Sequence, residues 1–319
     1  MVNTLLQLTP AMESYLIGLI YRNTRTSCLS LAAVCAHISH DGLQRMLYEK
    51  FAWSRRLWDY FAAGMVREGG YLIIDDTAWA RWAQQSEAVS WVWSSTHARV
   101  LRGHQVVLLI WTDGRVRVPL GVRLWKKGGY SKVELAAQLL REAERRGMRP
   151  EYVLFDSWYA AASLLHLLER IGWKYVARLK SNRLFEGRAV RERWPHRYGH
   201  AVGRLRKINH EVAVVKDGRR YFVSNGLQLS SFELKRHYRV RQQIEEVFRL
   251  LKQEFGWGAA SAQKARAQAA HLHLGLYALC LIEQAAIKKG QTIYAFKREL
   301  FRLPIPEYLP QLENLSLAA

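Results

Sequence analysis

The sequence predicts an α/β protein: a mixed sheet with helices on its faces, preceded by a helical N-terminal domain and interrupted by a β-rich insertion. Three observations predict it. Apolar runs of strand length, YLIIDDT (71–77), QVVLLIW (105–111) and EYVLFDSWYA (151–160), are interspersed with amphipathic helical segments. Residues 1 to about 68 carry apolar residues at helical spacing and show no strand-like alternation. From about 183 to 232 the helical periodicity lapses and arginine, glycine and aromatic residues take over.

Composition bounds the function. The chain has 319 residues, half of them hydrophobic, so it can bury substantial cores. It carries 48 Lys+Arg against 27 Asp+Glu, a net charge of +21 spread along its length. A folded protein this basic points to a polyanionic partner, nucleic acid before a membrane surface. The first twenty residues lack the charged start and cleavage site of a signal peptide. The apolar stretch 271–287 holds His271, His273 and Glu283, which favours a buried helix over a membrane span. Three cysteines make no disulfide framework and fit a reducing cytoplasm. Cys28, Cys35, His37 and His40 match no common zinc-finger spacing, so small core cysteines are expected.

In chain order, LSLAAVCAHISHDGLQRMLYEKF reads as two short helices joined near His37–His40, with Ser39 or Asp41 as the cap of the second. Two readings stand: a helix-turn-helix presenting Gln44, Arg45 and Lys50 to DNA, or a plain helical hairpin. Gly69-Gly70 ends this region at about 68. YLIIDDT reads as a short buried strand ending in two acids, and TDGRVRVPLGVRLW (112–125) as strands around a turn at Asp113-Gly114. KVELAAQLLREAERRG (132–147) is an amphipathic helix closed by Gly147. EYVLFDSWYA is a strand reaching Asp156, AASLLHLLERIG (161–172) a helix, and WKYVARLKSN (173–182) a further strand. The insertion at about 183–232 has a hairpin at Lys216-Asp217-Gly218. Arg191 and Arg193 lie beside Trp194 in it, as backbone and base contacts require, although a solvated basic loop has the same composition. A long helix over 262–288 completes the main domain, 69–285, and 286–319 forms a tail with Pro304, Pro306 and Pro310.

YRVRQQIEEVFRLLK (238–252) contains no proline or glycine and reads as one helix. At roughly 100° per residue, Tyr238, Arg241, Glu245 and Lys252 fall within an arc of about 60° beside an apolar face, and Glu246 points elsewhere. With Asp76 (or Asp75) and Asp156 near strand ends, this places three carboxylates on strand, strand and helix. Hard oxygen ligands drawn from separate elements are how proteins hold Mg²⁺, and two such ions suit in-line displacement at phosphorus.

The run Tyr238-x2-Arg241-x3-Glu245-x6-Lys252 is similar to the Y-R-E-K signature of bacterial insertion-sequence transposases of the DDE endonuclease type, in the IS-four-like superfamily. LIIDDT resembles that group's first-aspartate motif and VLFDSWYA its second, in the expected order, with an insertion before the glutamate. The resemblance covers roughly 71–285, and more loosely the helical N-terminus resembles an end-binding region. It implies an RNase H-like core in which Asp76, Asp156 and Glu245 bind two Mg²⁺, with Mn²⁺ able to substitute. Asp76 is preferred because the acid followed directly by threonine fits the pattern. Asp75 is then a partner behind it, or the two roles are reversed. The resemblance implies a metal-dependent transposase that nicks transposon ends and transfers the freed 3′-hydroxyls to target DNA. It implies double-stranded DNA as partner, both terminal repeats and target. It also implies a homodimer in which each active site serves the end bound mainly by the other subunit, in the bacterial cytoplasm at the nucleoid. Tyr238, Arg241 and Lys252 would contact phosphates, and Trp194 would stack on a flipped base. Two other functions share these features: a structure-selective Mg²⁺-dependent nuclease or resolvase, and a silent DNA-binding regulator derived from a transposase.

Overall fold

The computed structural model describes residues 8–21, 27–35, 38–62, 67–81, 86–94 and 98–305. Four helices come first: α1 (Pro10–Tyr21), α2 (Cys28–Ala32), α3 (His40–Tyr48) and α4 (Trp53–Leu57), the last running into a π-turn over Trp58–Ala62. Pro10 occupies the first position of α1, where a missing N–H costs nothing. Ser39 caps α3 by accepting from the Gly42 amide. His37, part of the zinc spacing weighed above, lies outside the described residues. Cys35 is buried, its Sγ donating to the Ser14 carbonyl, and Cys28 is half-buried.

The sheet has nine strands. β1 (Tyr71–Ala80), β2 (Ser90–Ser94), β3 (Arg99–Thr112) and β4 (Arg117–Trp125) form its antiparallel half. The long β3 pairs with β1 along one edge, and its other edge is shared by β2 over residues 99–103 and β4 over 105–112. After α5 (Lys132–Arg145), β5 (Tyr152–Phe155) lies parallel to the start of β1. After α6 (Ala162–Arg170), β6 (Tyr175–Leu179) lies parallel to β5.

The segment over 183–232 holds β7 (Leu184–Phe185), β8 (Arg188–Ala189), the single turn α7 (Val190–Arg193), β9 (Tyr198–Gly203), β10 (Val212–Asp217) and β11 (Arg220–Ser224). β11 pairs antiparallel with β6, so β11, β10 and β9 extend the main sheet, while β7 and β8 form a small ribbon. The expected hairpin is present, with Gly218 at positive φ.

α5 packs on β3 and β4 and against α6 on one face of the sheet. On the other face lie α8 (Ser231–Arg239), α9 (Gln242–Gln253) and α10 (Ala265–Lys288). α11 (Ile293–Leu300) closes the described chain and packs on α10, so a helix occupies part of the region read as a tail; residues 306–319, with Pro306 and Pro310, lie outside the described residues. α10 is long and apolar enough to cross a membrane, and it is enclosed by protein. The N-terminal helices dock on it: Tyr15 Oη sits 2.9 Å from His271 Nδ1, Ser54 Oγ 3.1 Å from His273 Nε2, and Tyr277 Oη donates to the Trp53 carbonyl. One continuous core therefore joins α1–α4, the sheet and α10.

Three readings need correction. YLIIDDT is the first part of a ten-residue strand, because β3 keeps pairing with it as far as Ala80, so the two acids sit mid-strand. A strand not among those expected, β2, forms over SWVWS, whose small and aromatic residues alternate with period two. The helix expected over 238–252 is two helices. At Val240–Arg241 the amides of Arg241, Gln243 and Ile244 bond three residues back, tightening the turn and re-aiming α9 relative to α8.

Candidate active site

Beyond Ile73, β1 runs past the end of β5. That step leaves one edge of β1 bare and opens a cleft of about 1570 Å³. Asp75, Asp76, Asp156, Arg241, Glu245 and Lys252 all line it. Strand ends and helix starts meet there because β5 stops at Phe155 and hands Asp156 directly to a turn. One oxygen of Asp156 accepts from the Trp158 amide at 2.8 Å and the Tyr159 amide at 3.3 Å, which fixes the carboxylate at the cleft.

Asp75 and Asp76 are neighbours on a strand, so their side chains leave opposite faces. Asp75 shares its face with Thr77 and Trp79, and this is the face covered by α9. Its Oδ2 accepts from the Arg241 guanidinium at 2.5 Å, and the same guanidinium binds Glu245 Oε1 at 2.5 Å. Lys252, about two turns beyond Glu245 along α9, donates to Thr77 Oγ1 at 2.6 Å and to the Ala78 carbonyl at 3.0 Å. Asp76 faces the other way, toward α5. There it accepts from Lys132 Nζ at 3.0 Å, Gln105 Nε2 at 2.5 Å and Tyr159 Oη at 2.8 Å.

The charges are strongly coupled. Burial, helped by repulsion from Asp76 and Asp156, outweighs Arg241 and pushes the Asp75 carboxyl up to about 7. Burial works against the charge on Arg241, but Asp75, Tyr238 and Glu245 together raise its pKa. Burial lowers the Lys252 ammonium and pushes the Tyr159 phenol well up, the latter with help from Asp76. At Asp75, Arg241 thus only partly offsets burial and the two neighbouring carboxylates. Among the described residues no three acid, histidine or cysteine side chains are gathered closely enough to ligate an ion as they stand, because Glu245 turns to Arg241 and Asp76 to Lys132. The donor chemistry nevertheless fits a divalent cation: hard carboxylate oxygens drawn from separate elements, one of them on a carboxyl that burial and two neighbouring carboxylates hold near neutrality despite its bond to Arg241.

The other expected residues separate into two groups. Tyr238, at the end of α8, is mostly buried, its ring edge-on to Phe222 with centroids 5.1 Å apart and the Arg241 guanidinium 5.7 Å from its centroid. Burial pushes its phenol up to about 12. Trp194 is not in the cleft. Its ring stacks on Phe185 and covers the backbone of Gly199, where any side chain would collide with it. Arg193 lies over Phe185, Arg191 pairs with Glu192, and Arg45 is exposed on α3; none of the three lines the cleft.

Several cleft residues escaped sequence reading: Lys132, Gln105, Tyr159, Trp158, Lys180, and the pair Trp91 and Trp93. One signal was available. Lys132 opens α5 right after its Ser131 cap, where a cation opposes the helix dipole and calls for an acidic partner outside the helix. Trp158 is 53% exposed, with Lys132 Nζ 4.4 Å and Lys180 Nζ 5.0 Å from its ring centroid.

Residues 6–221 match a protein family described as DDE superfamily endonuclease. No curated protein matches the chain. Among solved structures, the piggyBac transposase synaptic complex with hairpin DNA is similar with a TM-score of 0.56 and 12% identity, over 92% of this chain and 69% of that one. The NurA nuclease from Sulfolobus solfataricus is similar over 53% of this chain and 71% of its own, with a TM-score of 0.28 and 12% identity. The Mos1 mariner paired end complex with Mn is similar over 47% of this chain and 54% of its own, with a TM-score of 0.21 and 13% identity. The likeness to the piggyBac complex bears out the expected fold, an RNase H-like mixed sheet.

Proposed function

Because the chain belongs to the DDE superfamily of endonucleases, we propose that it is a DNA transposase of the insertion-sequence type with the Y-R-E-K signature. In this reading it binds transposon ends, cuts them and joins the 3′ ends to target DNA. The observation that carries the reading is the meeting of Asp75, Asp156 and Glu245 with Arg241 and Lys252 in one cleft of a chain charged +21. Asp75 takes the role of the first acid in this proposal, in place of Asp76. Its support is the strand pleat, which turns Asp75 toward Arg241 and Glu245 and turns Asp76 toward Lys132. Asp76 then orients the site from behind, through Lys132, Gln105 and Tyr159.

Asp75, Asp156 and Glu245 would hold two Mg²⁺, with Mn²⁺ as a substitute, and Arg241 would give up its carboxylates to them. Bound there, the ions supply Lewis acidity to the attacking oxygen and charge neutralisation to the leaving one. Water attacks the scissile phosphorus, the bond to O3′ breaks, and the 3′-oxygen leaves with the electron pair and takes up a proton. The freed 3′-hydroxyl repeats the displacement on a second phosphodiester. Arg241, once released, and Lys252, whose charge is partly desolvated, would grip phosphates beside the cut. Double-stranded terminal repeats and target DNA are the partners. The exposed Gln44, Arg45 and Lys50 would touch the end, and two copies would pair the ends on DNA. The bacterial nucleoid is where such a substrate is found.

The test uses purified protein, a labelled duplex carrying the repeats that flank its gene, a supercoiled plasmid, and Mg²⁺ or chelator. Metal-dependent nicking at the repeat boundary followed by joining to the plasmid is expected. Glu245→Ala should abolish nicking while end binding stays within a few-fold. Cleavage without joining would replace the transposase by a nuclease, and full cleavage by Glu245→Ala would overturn the acid set.

A further inference from the structure

β2 is an edge strand whose residues alternate strictly between buried and exposed. Ser90, Val92 and Ser94 point into the protein. Trp91 and Trp93 point out, 69% and 60% exposed, with Val100 of β3 beside Trp93 at 55%. Two bare indoles on a sheet edge are a liability for a soluble protein. The register places them on the same face as Trp79, Thr77 and Asp75, so they continue the wall that holds the acidic centre, and both line the same cleft.

Their surroundings select the occupant. A second groove joins Trp91 to Arg102, Lys126 and Lys127. The acid nearest in sequence, Glu87, is engaged by Lys264 and the Ala265 amide. A second copy of this chain meeting edge to edge would bring these cations together, against repulsion. The matching partner is a polyanion that also offers flat apolar faces. Nucleic acid does so only where its bases are unpaired, since in a duplex the base faces are already stacked. Side chains two apart on a strand are separated by about 6.6 Å. That is close to twice the roughly 3.4 Å spacing of stacked bases, so the gap between the two indoles accepts one base.

We propose that Trp91 and Trp93, with Lys126 and Lys127 beside them, form a subsite for unpaired DNA. A base is held between the indoles while its backbone continues along the cleft toward Asp75 and Asp156. The identity of the nucleic acid as DNA rests on the proposed function; the subsite itself does not.

The experiment uses the full chain without divalent metal, a 5′-labelled oligo-dT and a blunt duplex of equal length, reading anisotropy and tryptophan emission. The wild type should bind oligo-dT with quenching. The W91A/W93A variant should lose about 10- to 100-fold in oligo-dT affinity, the range expected from stacking on one base. It should lose most of the quenching and far less duplex affinity. The salt dependence of oligo-dT binding should keep its slope, because no ionic contact is removed. W91F/W93F should retain binding within a few-fold, and thermal melts check that both variants are folded. Unchanged oligo-dT affinity in W91A/W93A overturns the subsite, as does an equal loss on the blunt duplex. Unchanged oligo-dT affinity together with an altered oligomeric mass by light scattering would assign the patch to a protein contact and also overturn it. The two readings fail separately. Wild-type protein that cuts repeat DNA while W91A/W93A binds oligo-dT normally sinks the subsite alone. Wild-type protein that binds oligo-dT through the indoles and cuts nothing sinks the transposase alone.

Discussion

Asp75 and Asp76 are chemically identical neighbours with different surroundings. Asp75 meets one guanidinium that it shares with Glu245, and it is crowded by two other carboxylates. Asp76 has an ammonium, an amide and a phenol, a full set of donors that leaves it committed to its place. The two asparagine variants should therefore differ. If Asp75 takes the proposed first-acid role, Asp75→Asn removes a cation ligand, and single-turnover cleavage of repeat DNA should fall by roughly 1000-fold or more. Asp76→Asn disturbs only what orients the site, and the loss should be about 10- to 100-fold. The same pair read by Mg²⁺ titration should show saturation lost in the first and shifted in the second. Equal losses, or the reverse order, would return the first-acid role to Asp76. Asp75 and Asp76 are both legible in the sequence as candidates. Tyr159 lies inside the second aspartate motif, but nothing local tells that its hydroxyl reaches a carboxylate on another strand.

At the scale of elements, helix breaks and close approaches decide where side chains arrive. The turn at Val240–Arg241 separates Tyr238 from the helix that carries Glu245 and Lys252, so Tyr238 packs on Phe222 while Arg241, Glu245 and Lys252 line the cleft. No proline or glycine marks that break. It follows from α8 packing on β6 and β11 while α9 packs on β1, which is a tertiary demand. Gly275 shows the same principle within α10. A glycine inside a helix is ordinarily about 1 kcal/mol worse than alanine. Here a Cβ would stand 2.7 Å from Trp257 Cδ1, and the Trp257 indole is fixed by its bond to the Leu272 carbonyl at 2.8 Å. Gly275→Ala should therefore destabilise the protein, by about 1–3 kcal/mol from overpacking. Chemical denaturation should show a lower midpoint; a raised one would mean that Trp257 can give way.

For the whole molecule, the N-terminal helices are stapled to α10 through neutral histidines. Burial lowers His271 and His273 to about 4, and His104, packed under Trp79, likewise to about 4. Arg81 adds to the lowering at His104 and His271, and Arg123 at His273; Glu142 and the carbonyls that His271 and His273 face oppose it. Each ring takes up a proton near its ordinary 6.5 when unfolded but resists it when folded. The unfolded state thus binds more protons between about 6.5 and 4, and stability must fall as pH drops through that window. Each fully protected ring contributes at most roughly 3 kcal/mol to the loss. Asp75, raised to about 7, takes up its proton in the folded state and opposes this, so melting temperatures should decline toward pH 4 less steeply than the rings alone would give, and His271→Phe should make the decline shallower still. An unchanged slope in that variant would place the acid sensitivity elsewhere.

By itself the sequence determined the periodicities, the charge and the chemical inventory. Strand-length apolar runs, helical stretches, an excess of cations and the three acid-bearing motifs are all local properties, set by which residues follow one another. That sufficed for the fold class and for Asp156 and Glu245 as candidates. It did not suffice for the different surroundings of Asp75 and Asp76, for the packing of Trp194 against Phe185 away from the cleft, or for the exposure of Trp91 and Trp93. Each of these depends on which face of a strand meets which helix, and a strand's two faces differ only through what pairs and packs beside it. The register of β1 and β2 on β3, the early end of β5 and the placement of α9 supply that information. They are contacts between residues far apart in the chain, so only the tertiary structure could decide them.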